Sequence, residues 1–210
     1  MTQPFVYYKH QNYYKDMVTL SIRNGFRASA LTLAPALLLA ASAYAQQAPA
    51  GVSNFHVVND HVYRGGQPSD AGFQALAKMG IKTVLDLREA DSRSQAEKKV
   101  VEAAGMKYVN IPFYGISTPS PAQVANALSI LNNKDNGTVF VHCRRGADRT
   151  GTVIAAYRVG HDGWANGKAL DEAKGYGLTF IAVGMHHFIR DYRAPVQNAD
   201  ATAATAPTVN

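Results

Sequence analysis

The chain is predicted to fold as an α/β protein, a three-layer sandwich in which helices flank a mostly parallel central sheet. Three observations predict it. Short apolar, β-branched stretches alternate with helical patterns between residues 55 and 192, the order that yields parallel sheets. Most helical patterns are punctuated by a capping residue or proline at the start, or by glycine at the end. Thr138–His142 then reads as a buried strand that runs through a short glycine-containing loop into a helical pattern at Thr150–Val159. That places the loop at a strand's carboxyl end, where such sheets bind ligands.

Taken in order, Phe55–Val58 and His61–Tyr63, separated by Asn59-Asp60, suggest a short hairpin. Gly65-Gly66-Gln67-Pro68 breaks the chain before a helix from Ser69 or Asp70 to Met79, closed by Gly80. Ile81–Leu87 is the next strand. Ser94 is expected to cap a helix from Gln95 to Ala104, ended by Gly105, and Lys107–Ile111 returns as a strand. Ser120-Pro121-Ala122-Gln123 combines a capping box with a proline in the first turn of a helix reaching Leu131. After the Thr150–Val159 helix come one over Lys168–Ala173, preceded by Trp164, and a last one through His186-His187 to Tyr192. Tyr157, Arg158 and Trp164 are expected to pack against the scaffold. Residues 54–193 thus form one domain, preceded by a linker at 46–53. From 194 to 210 the chain has no aromatic residue, which predicts a disordered tail.

The loop carries the chemistry. His142-Cys143-Arg144-Arg145-Gly146-Ala147-Asp148-Arg149-Thr150 joins strand to helix, where backbone N–H groups can turn inward as a nest and the helix N-terminus adds its dipole. Anions bind there without a metal. Arg144, Arg145, Gly146 and Ala147 are the expected phosphate-binding stretch, although Arg144-Arg145 reads equally well as a solvated basic turn. Cys143 at the loop's entry feels the same field, which stabilises its thiolate below the free-thiol pKa of about 8.5. Arg149 offers a planar fork to two phosphate oxygens and to charge developing in a transition state.

His-Cys-x-x-Gly-x-x-Arg-Thr resembles the signature of the cysteine-dependent protein tyrosine and dual-specificity phosphatases. Val62–Pro68, Lys82–Arg88 and Ala155–Arg158 are similar to further stretches of a small, exported bacterial branch of them, so the resemblance covers Asn54 to Tyr192. Rhodanese-like domains also carry a cysteine loop between strand and helix, but the Arg-Thr-Gly ending fits the phosphatases better. The resemblance implies a protein-tyrosine-phosphatase-like sandwich and two chemical steps. Cys143 attacks phosphorus to give a cysteinyl-phosphate, and water hydrolyses it while Arg149 holds the phosphoryl oxygens. Thr150 is expected to donate to the sulfur or to cap the helix, and His142 to orient the loop from behind. Arg64 and Arg88 either face the phosphate or, the preferred reading, brace loops.

The general acid is where the chain departs from the family. Relatives commonly place an aspartate on the loop that here reads Ile111–Pro121, which contains no carboxylate. Asp148 is the first candidate, the alternative being a brace for Arg149 or a helix cap; Asp91 is the reserve, and the remaining alternative is a leaving group good enough to depart without an acid. Substrates in view are phosphorylated protein or a small phosphorylated metabolite, such as an inositol phosphate or a nucleotide. A phosphate-binding module without activity is the reading from another class.

Histidines and acids show no metal-ligand spacing, so no metal or other cofactor is expected. Cys143 is the one cysteine, which rules out an internal disulfide framework. Arg27 is followed by eighteen uncharged residues ending in Ala43-Tyr44-Ala45, the pattern of a signal peptide over 1–45 and of an exported, periplasmic or secreted protein. A membrane anchor is the alternative, weakened by Pro35 and by an apolar core shorter than the roughly twenty residues of a span. Met17, with Arg23 and Arg27 behind it, is an alternative start. Without residues 1–45 the balance falls from 21 basic and 15 acidic residues to 17 and 14. So mild a charge speaks against nucleic acid as partner. Nothing in the sequence sets an oligomeric state.

Overall fold

The computed structural model describes residues 48–195. The expected leader with its cleavage site and most of the expected tail lie outside the described residues. Along the chain run β1 (His56–Val57), β2 (Val62–Gly65), α1 (Asp70–Lys78), β3 (Thr83–Asp86), α2 (Ser92–Ala103), β4 (Lys107–Asn110), α3 (Pro121–Asn132), β5 (Val139–His142), α4 (Asp148–Gly160), α5 (Asn166–Gly175) and α6 (Val183–Asp191). The sheet order is β1-β2-β5-β3-β4, antiparallel only between β1 and β2. The fold is the predicted α/β sandwich.

Alternation along β5 explains the layers. Val139 and Val141 face α3 and α4, in a core with Leu85, Leu87, Leu131 and Ile154. Phe140 faces the other way, against Phe73, Leu76, Val84 and Val101. A strand buried on both faces reads as a continuous apolar run, and β5 does. α5 and α6 pack on the outside of α4 through Ala155, Ala169, Leu170, Met185 and Ile189.

Register positions the site. Gly65 and Asp86 both pair with His142, so three parallel strands end level with one another, and the loop after β5 leaves from the middle of that row. Two local expectations change. Ser94 does not cap α2: Asp91 does, accepting from the N–H groups of Arg93 and Ser94, while the Ser94 hydroxyl completes the reciprocal half of a capping box. The carboxylate three residues upstream outcompetes the serine because it satisfies two orphan N–H donors at once. The segment before residue 54 is not a plain linker either. Pro49 and Val52 are buried, and Gly51 and Ser53 accept from the backbone N–H groups of Ser69 and Gly66. α3 has the expected capping box with Pro121 in its first turn.

Candidate active site

The loop from Cys143 to Ala147 is held from outside by its carbonyls. Gln67 N donates to Arg144 O at 3.1 Å, Asn54 Nδ2 to Arg145 O and Gly146 O at 3.1 Å each, and Arg64 Nη2 to Gly146 O at 2.7 Å. In a planar trans peptide the N–H opposes the C=O, so drawing these carbonyls outward turns the following N–H groups inward. Gly146 makes the bend at φ +68, and any Cβ there would run into the backbone of Gly65 and Gly66. Only glycine fits both demands. α4 then starts at Asp148 behind an N-cap, Ala147, that has no capping side chain, leaving its first N–H donors and its dipole to an anion.

Cys143 is buried at the centre of this cradle, 2% exposed. Burial pushes its thiol pKa up, but hydrogen bonding from the Thr150 side chain and N–H, the charge of Arg149 and the Arg145 N–H together bring it below the ordinary value. The Thr150 hydroxyl is buried and has no hydrogen-bond partner of its own among the described residues. Arg149 Nη1 lies 3.3 Å from Phe113 O and 3.1 Å from Glu89 Oε1. His142 is fully buried behind the nucleophile, its Nε2 2.9 Å from Glu97 Oε1.

The two expected acids are placed elsewhere in function. Asp148 Oδ1 accepts from Thr179 N and Oγ1 at 2.8 and 2.7 Å, and its Oδ2 accepts from Arg145. Burial raises its pKa, but these donors outweigh it and hold the carboxyl below its usual range. A carboxylate so fully engaged as an acceptor is an anionic brace between the loop and the segment before α6, and it braces Arg145 rather than Arg149. Asp91 is spent on the α2 cap and on its bidentate pair with Arg93, which keeps its pKa at about 2. Neither is placed as a proton donor.

Arg64 and Arg88 are braces. Arg64, 1% exposed, lies under the loop with its guanidinium 4.6 Å from the Tyr176 ring centre, and burial lowers its pKa to about 10. Arg88 joins Asp86 Oδ2 at 2.7 Å to Glu97 Oε2 at 2.6 Å. Asp86, Glu97 and His142 bring oxygen and nitrogen atoms within 4.8 Å of one another, yet the Arg88 guanidinium is already paired with both carboxylates and His142 with Glu97. They form a closed ion-pair network rather than a cation site. Arg144 and Arg145 are both exposed; only Arg145 has an ion-pair partner among the described residues.

Sequence reading missed four contributors. Asn54 is the one described non-glycine residue at positive φ, +49, and its amide ties the cradle to Tyr176 O as well. An Asn before a strand, tolerant of the left-handed region, was the available signal. Glu97 and Thr179 meet their partners across 45 and 31 residues, and no local pattern announces them. Glu89 sits at the mouth on Arg149, in the same charged loop as Asp91. An apolar cavity of about 670 Å³ between α3, α4 and α6, lined by Leu128, Tyr157, His161, Phe188 and Tyr192, includes none of the cradle residues.

The chain is 33% identical over 109 residues to a probable tyrosine-protein phosphatase of Dictyostelium discoideum, covering 50% of this chain and 65% of that protein. An inositol diphosphatase of Arabidopsis thaliana is 30% identical over 50% of this chain and 54% of its own length. The dual specificity protein phosphatase TpbA of Pseudomonas aeruginosa is 28% identical over 70% of this chain and 63% of that protein. The crystal structure of TpbA superposes with a TM-score of 0.58 at 23% identity, over 69% of this chain and 92% of the crystallised one. The chain thus spans between half and two thirds of the length of the curated relatives it matches. The family model for the DSP-PTPase phosphatase fused to NAD+ kinase matches residues 48–191, which takes in the cradle and every strand and helix of the sandwich, and the chain belongs to that family.

Proposed function

We propose that this domain hydrolyses phosphate monoesters through a covalent phosphocysteine. One observation carries the reading: a cysteine that burial alone would keep protonated is instead pulled toward the thiolate, at the focus of a loop whose Arg144, Arg145 and Gly146 carbonyls are held outside. The thiolate attacks phosphorus in line, a P–S bond forms and the P–O bond to the leaving group breaks. Arg149 and the inward N–H groups hold the three equatorial oxygens. Water then cleaves the P–S bond, and the Thr150 hydroxyl stabilises the departing sulfur. His142 keeps the end of β5 in place through Glu97 and is not itself in contact with the reacting atoms.

The preferred substrate is phosphorylated protein, phosphotyrosine or dual-specificity. Six large hydrophobic side chains are exposed among the described residues, and five of them, Tyr114, Ile116, Phe180, Ile181 and Val183, lie on two segments at the mouth. Those segments meet the cradle through Phe113 O on Arg149 and Thr179 on Asp148, and Gly184 packs against Thr118. An apolar rim suits the side chains of a polypeptide around a phosphorylated residue. The second reading, an inositol polyphosphate, rests on Arg144 and Arg145 and on the named activity of the Arabidopsis relative. Half of that basic pair is already taken by Asp148. Phosphate release from phosphotyrosyl peptides, inositol phosphates and nucleotides separates the two. Peptides are expected to turn over best and Cys143→Ser to abolish all turnover while retaining orthovanadate. Turnover surviving Cys143→Ser would overturn the mechanism, and preference for an inositol polyphosphate would overturn the substrate.

We further propose export, as in the exported bacterial branch that the sequence resembles, supported by the uncharged run after Arg27 and the Ala43-Tyr44-Ala45 ending. Mass spectrometry of protein from the soluble envelope fraction is expected to find Gln46 at the N-terminus; an uncleaved chain held in the membrane overturns this.

A further inference from the structure

The proposed reaction needs a proton for its leaving oxygen, and both expected donors are engaged elsewhere: Asp148 accepts three hydrogen bonds and Asp91 caps α2. The loop from Ile111 to Pro121 holds no carboxyl group. Glu89 does reach the site. It follows Arg88 at the carboxyl end of β3, and its Oε1 is 3.1 Å from Arg149 Nη1 and 3.1 Å from Gly115 N. It therefore stands between the arginine of the cradle and the loop where relatives commonly carry their acid. Both of these contacts fall on Oε1, and no other described residue donates a hydrogen bond to Oε2. The side chain is 31% exposed, open enough to meet an incoming group.

We propose that Glu89 is the general acid of the first step and the general base of the second, an inference that rests on the Cys143 mechanism above. In the free protein Glu89 is ionised: burial raises its pKa, but its own N–H, the Gly115 N–H and Arg149 outweigh that and hold it below the usual range. A bound phosphoryl dianion reverses the balance. It takes the guanidinium of Arg149 for itself and sets a like charge beside Glu89, and both changes favour the protonated carboxyl. The acid is thus made by the charge of the substrate, and its proton comes from solvent. As the P–S bond forms, the proton passes from Glu89 to the leaving oxygen and the alcohol departs. Glu89, again a carboxylate, then takes a proton from the water whose oxygen attacks phosphorus. The thiolate leaves, and inorganic phosphate is released.

The test compares leaving groups in the full chain. Glu89→Gln keeps the shape and an acceptor for Gly115 N but cannot carry the proton. It is expected to lower kcat/KM, which reports the step in which the leaving oxygen departs, about 10²-fold or more with phenyl phosphate, and only a few-fold with p-nitrophenyl phosphate, whose anion departs unaided. Orthovanadate is expected to bind at least as tightly as before, which also shows that the variant is folded. Glu89→Asp should recover part of the phenyl phosphate activity, and Asp148→Asn should lower both substrates by the same factor. Equal losses of kcat/KM with both substrates in Glu89→Gln, or weakened orthovanadate binding, would mean that Glu89 only positions Arg149. A leaving-group-dependent loss in Asp148→Asn would return the acid to that residue. Either result overturns this inference while leaving the mechanism intact, whereas wild-type turnover independent of Cys143 removes the mechanism beneath it.

Discussion

Arg88 and Glu89 are consecutive, yet they belong to opposite sides of the cradle and to two kinds of electrostatics. On the floor, Arg88 is clamped between Asp86 and Glu97, whose side chains are 0% and 3% exposed, and Tyr108 Oη, Gln67 and His142 donate to the same two carboxylates. At the mouth, Glu89 and Arg149 share one contact at 3.1 Å beside a rim that leaves Tyr114 62% and Phe180 86% exposed. The floor is closed and multiply paired, so nothing entering from solvent can rearrange it cheaply. The mouth is singly paired and half open, so a ligand can exchange partners there. Rigidity beneath and exchange above are what a preformed anion cradle with a substrate-dependent proton donor requires.

The largest difference between the two sides should appear in stability. Arg88→Met leaves two buried carboxylates, Asp86 and Glu97, with His142 as their one remaining cationic partner, and removing one partner of a buried ion pair costs roughly 3–5 kcal/mol in comparable sites. Glu89→Ala removes a partly solvated pair and should stay within about 1 kcal/mol. Urea unfolding of the two variants measures both. An Arg88→Met protein as stable as Glu89→Ala would erase the distinction between floor and mouth.

That distinction also marks what the sequence makes legible. The strand ending at His142, the glycine bend and the Cys143–Arg149 spacing are encoded within eleven consecutive residues, and the continuous apolar run of β5 is enough to place them in the middle of a sheet. Helix starts are legible where one residue type does the capping, as at Ser120. They fail where two candidates compete, as Asp91 and Ser94 do at α2. The acid could not be read because its identity is a matter of what each carboxylate touches. Asp148 sits inside the signature but is claimed by Thr179, 31 residues away. Glu89 sits outside the expected loop but reaches Arg149 through the fold. Asn54 and Glu97 are invisible for the same reason, since their partners lie 92 and 45 residues along the chain.

A smaller effect sharpens the comparison by titrating the floor alone. Burial lowers the His142 pKa, but the hydrogen bond and charge of Glu97 and the charge of Asp86 overcome it, against the opposing charge of Arg88, so the net direction is upward. Asp86 moves the other way: burial raises its pKa, and Arg88 and His142 bring it below its ordinary value. A histidine whose folded-state pKa is raised binds its proton more tightly when folded. Its contribution is therefore complete below the unfolded value of about 6.5 and is lost as pH rises through the folded pKa. The Asp86 contribution is complete above about 3.9 and is lost as pH falls through its own folded value. Between these windows the floor is at its strongest. Measured as the stability difference between wild type and His142→Gln, the histidine term should shrink as the pH is raised above 6.5, by about 1.4 kcal/mol for each unit separating the two pKa values. Glu89→Gln at the mouth should leave that profile unchanged, because its partners are Arg149 and Gly115 N and not the floor residues. A difference between wild type and His142→Gln that stays constant with pH would mean that the imidazole is neutral against Glu97, and that the floor is closed by Arg88 alone.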